Sequence, residues 1–452
     1  MPRSTTRLLN AINPYGLTYA EDGQLYASGA TVDGTRRLAV WRLTADGARD
    51  PNWGTNGVVS LEVPGVNNIA SFDIAEVTAN NFVVQAVGGG KVWLVKFTVS
   101  GNTGTFGTPR EVKFGWSDGD TGWPAGSSPT YQGWGVGIDK SDAAAPKVVV
   151  FASGAPAKAT PPEPQRTDAD RWIARVLWPA TGDDFAVDPS FNGNGAAYTV
   201  DGDGKNINDN ARRGFVAADG TIYSSGYTNI GGNKVIIIKL KPDGTPDPAF
   251  NFGTTDGTAA GSTTPLARPG QVRVMPFTGN GAGAEAYNVV LQQSGRFITT
   301  GYGTSNFDGP TSQPDLVSVG FKADGLDATY GRAGGFAVQS EQDKGAGVGP
   351  TGFEDRGRDL VLLPDERVVH AGAYDGQAAI FVTSKDGVLD TTSGEKGVVS
   401  YAWLGNFFGI ARSADGKKIA ASGVSLVQTN DAGALDAGQG SDSIIVTLDV
   451  AR

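Results

Sequence analysis

Cysteine is absent from this chain and histidine occurs once, as His370. The first absence excludes a disulfide framework, a zinc–thiolate site and a thiol nucleophile. The second excludes metal clusters built on several histidines and haem held by two. His370 itself falls on a strand where other copies of a repeat carry Ala27, Ser224, Thr299 and Ala421. It therefore reads as a packed strand residue rather than as the base of a catalytic triad. Basic charge is also scarce, with 37 Lys and Arg against 47 Asp and Glu and a net charge of −10. A general nucleic-acid binder needs a basic surface, so no nucleic-acid partner is expected. No apolar run approaches the roughly 20 residues of a helical membrane span, so no membrane insertion is expected. No Gly-rich phosphate loop stands in a strand–helix setting.

Glycine is plentiful at 66 residues of 452, with 24 prolines and 39% hydrophobic residues. That mixture suits many short strands joined by tight turns around a real core. One pattern recurs: an apolar strand, a Gly-containing turn, a second strand ending in a small residue and Gly, and a third apolar strand. The turn reads Asp22-Gly23, Asp219-Gly220, Ser294-Gly295 and Asp415-Gly416 in the clearest copies. Asp and Gly accept the positive φ of hairpin turns cheaply. The second strands end at Gly29, Gly88, Gly154, Gly226, Gly301, Gly372 and Gly423, which makes seven copies. Seven third strands follow: 38–43, 91–97, 172–178, 234–240, 315–321, 377–382 and 443–448. Several are apolar at nearly every position, so both of their faces must be covered.

A second turn then leads into a fourth strand. It carries Asp46-Gly47 with Asp50 and Trp53, Asp243-Gly244 with Asp247 and Phe250, Asp324-Gly325 with Asp327 and Tyr330, and Asp386-Gly387 with Asp390. Capping of backbone N–H groups explains these acidic pairs more simply than repeated ion binding. The runs resemble the delta-60 repeat of bacterial propeller-like proteins, whose pattern is Leu-x-x-Asp-Gly-x-Leu-Asp-x-x-Phe-Gly-x-x-Gly-x-Val. The resemblance covers most of the chain and implies architecture, not activity. Copy two lacks the acidic pair, and copy seven stops after its third strand.

The fold expected is all-β: a seven-bladed β-propeller of four-stranded antiparallel blades, forming a single domain over residues 1–452. The apolar segment 6–10 is expected to supply the missing strand of blade seven, which removes exposed sheet edges. An open solenoid would carry capping repeats, and neither end resembles one.

Marker spacings of 59, 66, 72, 75, 71 and 51 residues exceed the roughly 40–50 of common propeller repeats, so the surplus lies in loops. The insertions 155–170, 302–314 and 424–441 are second-to-third loops. Those at 115–133, 201–211, 259–286 and 339–356 read as blade crossovers. Both groups emerge on one side of the disc, which is therefore the expected working face.

Four sets of candidate residues follow. Trp116, Asp118, Asp120, Trp123, Tyr131 and Trp134 put rings beside carboxylates, which suits stacking on a sugar or a protein interface, or a loop pinned by its own Trp side chains. Asp201, Asp203 and Asp209 stand in a Gly/Asn-rich run that begins like a Ca²⁺ loop, though Lys205 breaks the pattern and an ordinary turn fits equally. Arg212, Arg213, Arg356 and Arg358 stand just before the expected innermost strands, near the channel mouth, where they can hold an anion unless nearby acids neutralise them. Acidic residues are numerous enough for a carboxylate pair of the glycosidase kind. The expected function is a non-enzymatic binding or scaffold module with a protein, glycan or surface partner on the crossover face. The alternative is a carboxylate-based hydrolase or lyase at the channel mouth, with Ca²⁺ as an option. The Lys-poor, Cys-free composition resembles exported bacterial proteins, so a periplasmic or extracellular location is expected even though Met1-Pro2-Arg3-Ser4 leads straight into the first strand.

Overall fold

The computed structural model describes residues 2–8, 11–33, 35–116, 122–123, 128–159, 164–199, 207–229, 232–250, 269–275, 283–304, 314–323, 325–331, 336–339, 355–374, 376–393, 397–425, 428–429, 435–436 and 443–450. Seven four-stranded antiparallel blades form a ring, and all seven expected third strands are present. The apolar run of blade four shows why those strands must be buried on both faces. Along Lys234–Leu240, Val235 and Ile237 pack toward blade five, while Ile236, Ile238 and Leu240 pack toward blade three. Side chains alternate along a strand, so one strand feeds two interfaces. Every blade-to-blade interface has its own apolar cluster.

The ring closes as the sequence leads one to expect, with a shift in the segment's limits. The strand Pro2–Leu8 pairs antiparallel with Ser443–Asp449 and completes blade seven. Ser443 also donates to the Ala11 carbonyl at 2.8 Å, which ties the last strand to blade one. Blades six and seven are joined differently from the others. One continuous strand, Val398–Arg412, is the outer strand of blade six over its first half and the inner strand of blade seven over its second.

The repeated second acid of the third-to-fourth turn is a cap and an ion-pair partner at once. Asp50, Asp188, Asp247, Asp327 and Asp390 each accept, through Oδ1, the backbone N–H two residues on. Their other oxygen faces a cation: Arg42, Arg175, Lys239, Arg296 and Arg367 respectively. Some of those cations reach the following blade, as Arg42 does at Gly101 O (2.7 Å) and Arg296 at Lys385 O (2.9 Å). The aromatic residue of the turn is buried against the next blade's Asp-Gly turn. Gly244 and Gly387 have φ of +82° and +79°, and a Cβ on either would stand 2.7 Å from the Phe191 or Tyr330 ring. Only glycine meets both conditions.

One expectation about the loops fails. The fourth strand of blade four is Gln271–Val274, so residues 259–270 precede it and belong to the third-to-fourth connection, not to a crossover. The short alternation Gln271-Val272-Arg273-Val274 is too brief to stand out from the surrounding small residues. Most of the remaining insertions, among them 305–313, 340–354 and 430–434, lie outside the described residues.

His370 is fully buried, with Nε2 3.3 Å from Thr383 Oγ1. Burial holds the ring neutral and pulls its pKa from 6.5 down to about 3.

Two outcomes are expected. Deleting residues 2–8 opens blade seven and lowers Tm by roughly 5 °C or more, at about 2 °C per kcal/mol for a large domain, in a thermal melt. For His370, the unfolded chain gains a proton near pH 6.5 and the folded chain only near pH 3. Stability therefore falls as pH drops through that window, by at most about 1.4 kcal/mol per pH unit. His370→Thr removes that slope in urea titrations run from pH 7 to pH 3.

Candidate functional site

Each blade's innermost strand carries a β-bulge near its crossover end, at the same place in all seven copies. A bulge leaves a residue unpaired and re-aims its side chain. In four blades the marker glycine of the second strand faces the residue just before the bulge. A side-chain carbon at Gly226 or Gly372 would overlap the inner-strand carbonyl of Asn210 or Arg356. The glycines that mark the repeat thus permit the close backbone crossing from which the bulge springs.

The bulges present Tyr15, Phe72, Trp134, Arg213, Tyr287, Arg358 and Phe408, one from each blade in ring order. Together with Gln132 they enclose a cavity of about 280 Å³ on the channel axis. The rings form a chain of edge and tilted contacts: Phe408–Tyr15 at 4.6 Å, Tyr15–Phe72 at 5.0 Å, Phe72–Trp134 at 5.8 Å and Trp134–Tyr287 at 6.3 Å. Gln132 lies two residues nearer the crossover end of its strand than Trp134, so the cavity faces that side of the disc.

On the side of the cavity away from the crossovers, a polar network spans the axis. Arg213 Nη1 donates to Asp359 Oδ2 at 2.9 Å, and Nη2 donates to the carbonyls of Tyr15 and Phe72 at 3.1 Å each. Asp359 also accepts from Asn288 Nδ2 (2.6 Å) and from the backbone N–H of Leu360 and Ile410. Asp73 lies 4.0 Å from Arg213 and accepts from the N–H groups of Ile74 and Val136, both at 2.9 Å. Burial raises the Asp73 carboxyl above its ordinary value, against the pull of Arg213. Three side chains thus reach all seven blades.

Of the residues singled out from sequence, Trp134, Arg213 and Arg358 line this cavity together. The arginines lie within the inner strands, not before them, because the bulge carries each strand further toward the crossover side than simple alternation suggests. Arg212 is packed between Trp134 and Tyr287, at 4.0 and 4.8 Å from the ring centres, and pairs with Glu285 at 3.0 Å. Arg356 lies over Tyr302 at 4.2 Å. Trp116 is not an open stacking platform. It is 6% exposed, donates from Nε1 to Pro156 O at 2.8 Å and meets Trp123 edge-on at 5.2 Å, so its ring serves as an anchor. The Tyr131 ring lies 5.0 Å from that of Phe114, tilted by 31°. Asp209 is fully buried and paired with Arg171 at 3.3 Å, so its carboxylate serves an ion pair and not a surface Ca²⁺ loop. Asp118, Asp120, Asp201 and Asp203 lie outside the described residues. Among the described residues, no group of three or more His, Cys, Asp or Glu side chains is arranged to hold a metal ion, and no helix is long and apolar enough to cross a membrane.

Sequence reasoning missed Tyr15, Phe72, Gln132, Tyr287 and Phe408. A signal was present for four of them. Each copy reads large residue, then Gly, Asp or Asn, then apolar: Tyr15-Gly16-Leu17, Phe72-Asp73-Ile74, Trp134-Gly135-Val136, Arg213-Gly214-Phe215, Tyr287-Asn288-Val289, Arg358-Asp359-Leu360 and Phe408-Gly409-Ile410.

Residues 20–52 and 217–250 match the family model described as a domain of unknown function (DUF5122) beta-propeller. The chain is similar to several solved structures. One is a Dos1 propeller, at 10% identity and a TM-score of 0.41, covering 95% of this chain and 76% of that one. Another is a protein of unknown function from Dyadobacter fermentans, at 11% identity and a TM-score of 0.43, covering 100% and 99%. A third is a streptogramin B lyase, at 10% identity and a TM-score of 0.40, covering 99% and 97%. These likenesses carry no argument about function. No curated protein matches the chain.

Arg213→Met should cost about 3–5 kcal/mol in urea denaturation, because it strands Asp359 in a buried setting. Arg213→Lys should not restore the loss, since an ammonium lacks the planar fork that serves three acceptors.

Proposed function

We propose that this protein is an exported binding propeller whose site is the axial cavity on the crossover side, with ligand or partner group seated there and no chemistry performed on it. One observation carries the reading. Seven equivalent bulges send seven large side chains toward one point and line a cavity that the Arg213 network adjoins. Aromatic-rich cavities with a few convergent polar groups are the usual form of a small-ligand site. A protein or glycan partner on this face would present a side group to the same cavity. The hydrolase reading has less support. The axial carboxylates Asp73 and Asp359 are engaged by Arg213 and by backbone N–H groups, and among the described residues no carboxylate lines the cavity.

The test is a thermal-shift screen of small metabolites and oligosaccharides on the full chain and on Trp134→Ala. Ligands should raise Tm in the parent chain and fail to do so in the variant. Turnover of a bound compound, or shifts that survive Trp134→Ala unchanged, would replace this reading.

A further inference from the structure

Three guanidinium groups stand at the axis, and their charges are met differently. Arg212 has Glu285 at 3.0 Å. Arg213 has Asp359 at 2.9 Å and Asp73 at 4.0 Å. Arg358 lines the cavity, and among the described residues no carboxylate pairs with it. It is held by rings instead, 4.6 Å from the centre of Tyr287 and 5.7 Å from that of Phe408. Its Nε is buried and has no hydrogen-bond acceptor among the described residues. Ring faces offset part of a cation's desolvation through their quadrupole. They offer nothing to the in-plane N–H donors, which need an oxygen.

We propose that the axial cavity selects a flat-ringed monocarboxylate, with the carboxylate on Arg358 and the ring among the aromatic side chains. The inference rests on the binding reading above and deepens it. A guanidinium fork matches a carboxylate in two parallel hydrogen bonds. The pairing favours one negative charge over two: Arg358 is the one cavity-lining guanidinium without a carboxylate partner among the described residues, whereas a phosphate dianion is ordinarily met by several cations. Gln132 adds an amide at the cavity wall. Burial raises the pKa of the Tyr15 hydroxyl, against the pull of Arg358, so that group stays neutral beside the anion. The volume limits the body of the ligand. About 280 Å³ lies just below the roughly 300–1,000 Å³ of drug-sized sites, which leaves room for one or two fused rings.

The test is isothermal titration calorimetry on the full chain. Indole-3-acetate and phenylacetate are compared with their neutral amides, indole-3-acetamide and phenylacetamide. The acids should bind at least about tenfold more tightly than the amides, with affinity falling as salt rises. In Arg358→Gln the acids should fall to the level of the amides, and Arg358→Lys should recover part of the difference. The acid–amide contrast is read on the unmutated protein, so it stands even where a variant misfolds. Equal binding of acid and amide would overturn the inference and leave the binding reading intact. Binding of sugars with neither acid nor amide would do the same. Absence of any small ligand in both this titration and the thermal-shift screen would overturn the inference and the small-ligand form of the binding reading.

Discussion

A buried guanidinium at the axis is the constraint on which the ring depends. Seven inner strands converge there, and their bulges leave backbone N–H and C=O groups that need partners. Arg213 satisfies two carbonyls, in blades one and two, and a carboxylate in blade six. Asp359 passes the connection to blades five and seven, and Asp73 passes it to blade three. Apolar packing between blades is strong but local, because each interface is indifferent to the one opposite. The Arg213 network makes hydrogen bonds and ion pairs across the diameter. It fixes the blades relative to the axis, where hydrophobic burial has no directional preference.

The same convergence explains the residue that follows each bulge. Close to the axis there is room for no side chain, or for a short one that bonds its surroundings. Gly16, Gly135, Gly214 and Gly409 are the first solution, and Asp73, Asn288 and Asp359 the second, each capping its own next N–H. One step toward the crossover side the channel widens, and the large bulge residues fill its circumference without meeting in the middle. The cavity is what remains between them.

Much of this was legible from sequence, and the remainder was hidden for identifiable reasons. The seven third strands announced themselves because burial on both faces leaves an apolar run, as in Val235–Ile238. The missing fourth strand of blade seven pointed to the amino-terminal segment, although its limits fell at 2–8 rather than 6–10. The Gly markers were visible, but their reason was not, since a close backbone crossing leaves no trace beyond the glycine itself. Arg213 and Arg358 were noticed for their charge and placed one strand boundary too early, because a bulge disrupts the period of two on which such placement rests. Trp116 was noticed for its ring, yet burial turned it into an anchor. Tyr15, Phe72, Tyr287 and Phe408 carry no charge or motif that singles them out in sequence. Their shared feature is the small or amide-like residue that follows, which matters only once the strands are known to converge. Asp209 had a plausible ligand set in sequence, but Arg171 from the neighbouring blade claims it, and no local pattern encodes that partner.

The continuous strand Val398–Arg412 has a mechanical consequence. Among the described residues, no other pair of blades shares a strand. Blades six and seven are joined by one hydrogen-bonded ribbon that belongs to both. The two blades must tilt as one plate, and Arg358 and Phe408 ride on that plate. The arc of the cavity wall from Arg358 to Phe408 is therefore set on one unit, and a visitor would meet the cation-bearing side as a fixed jaw.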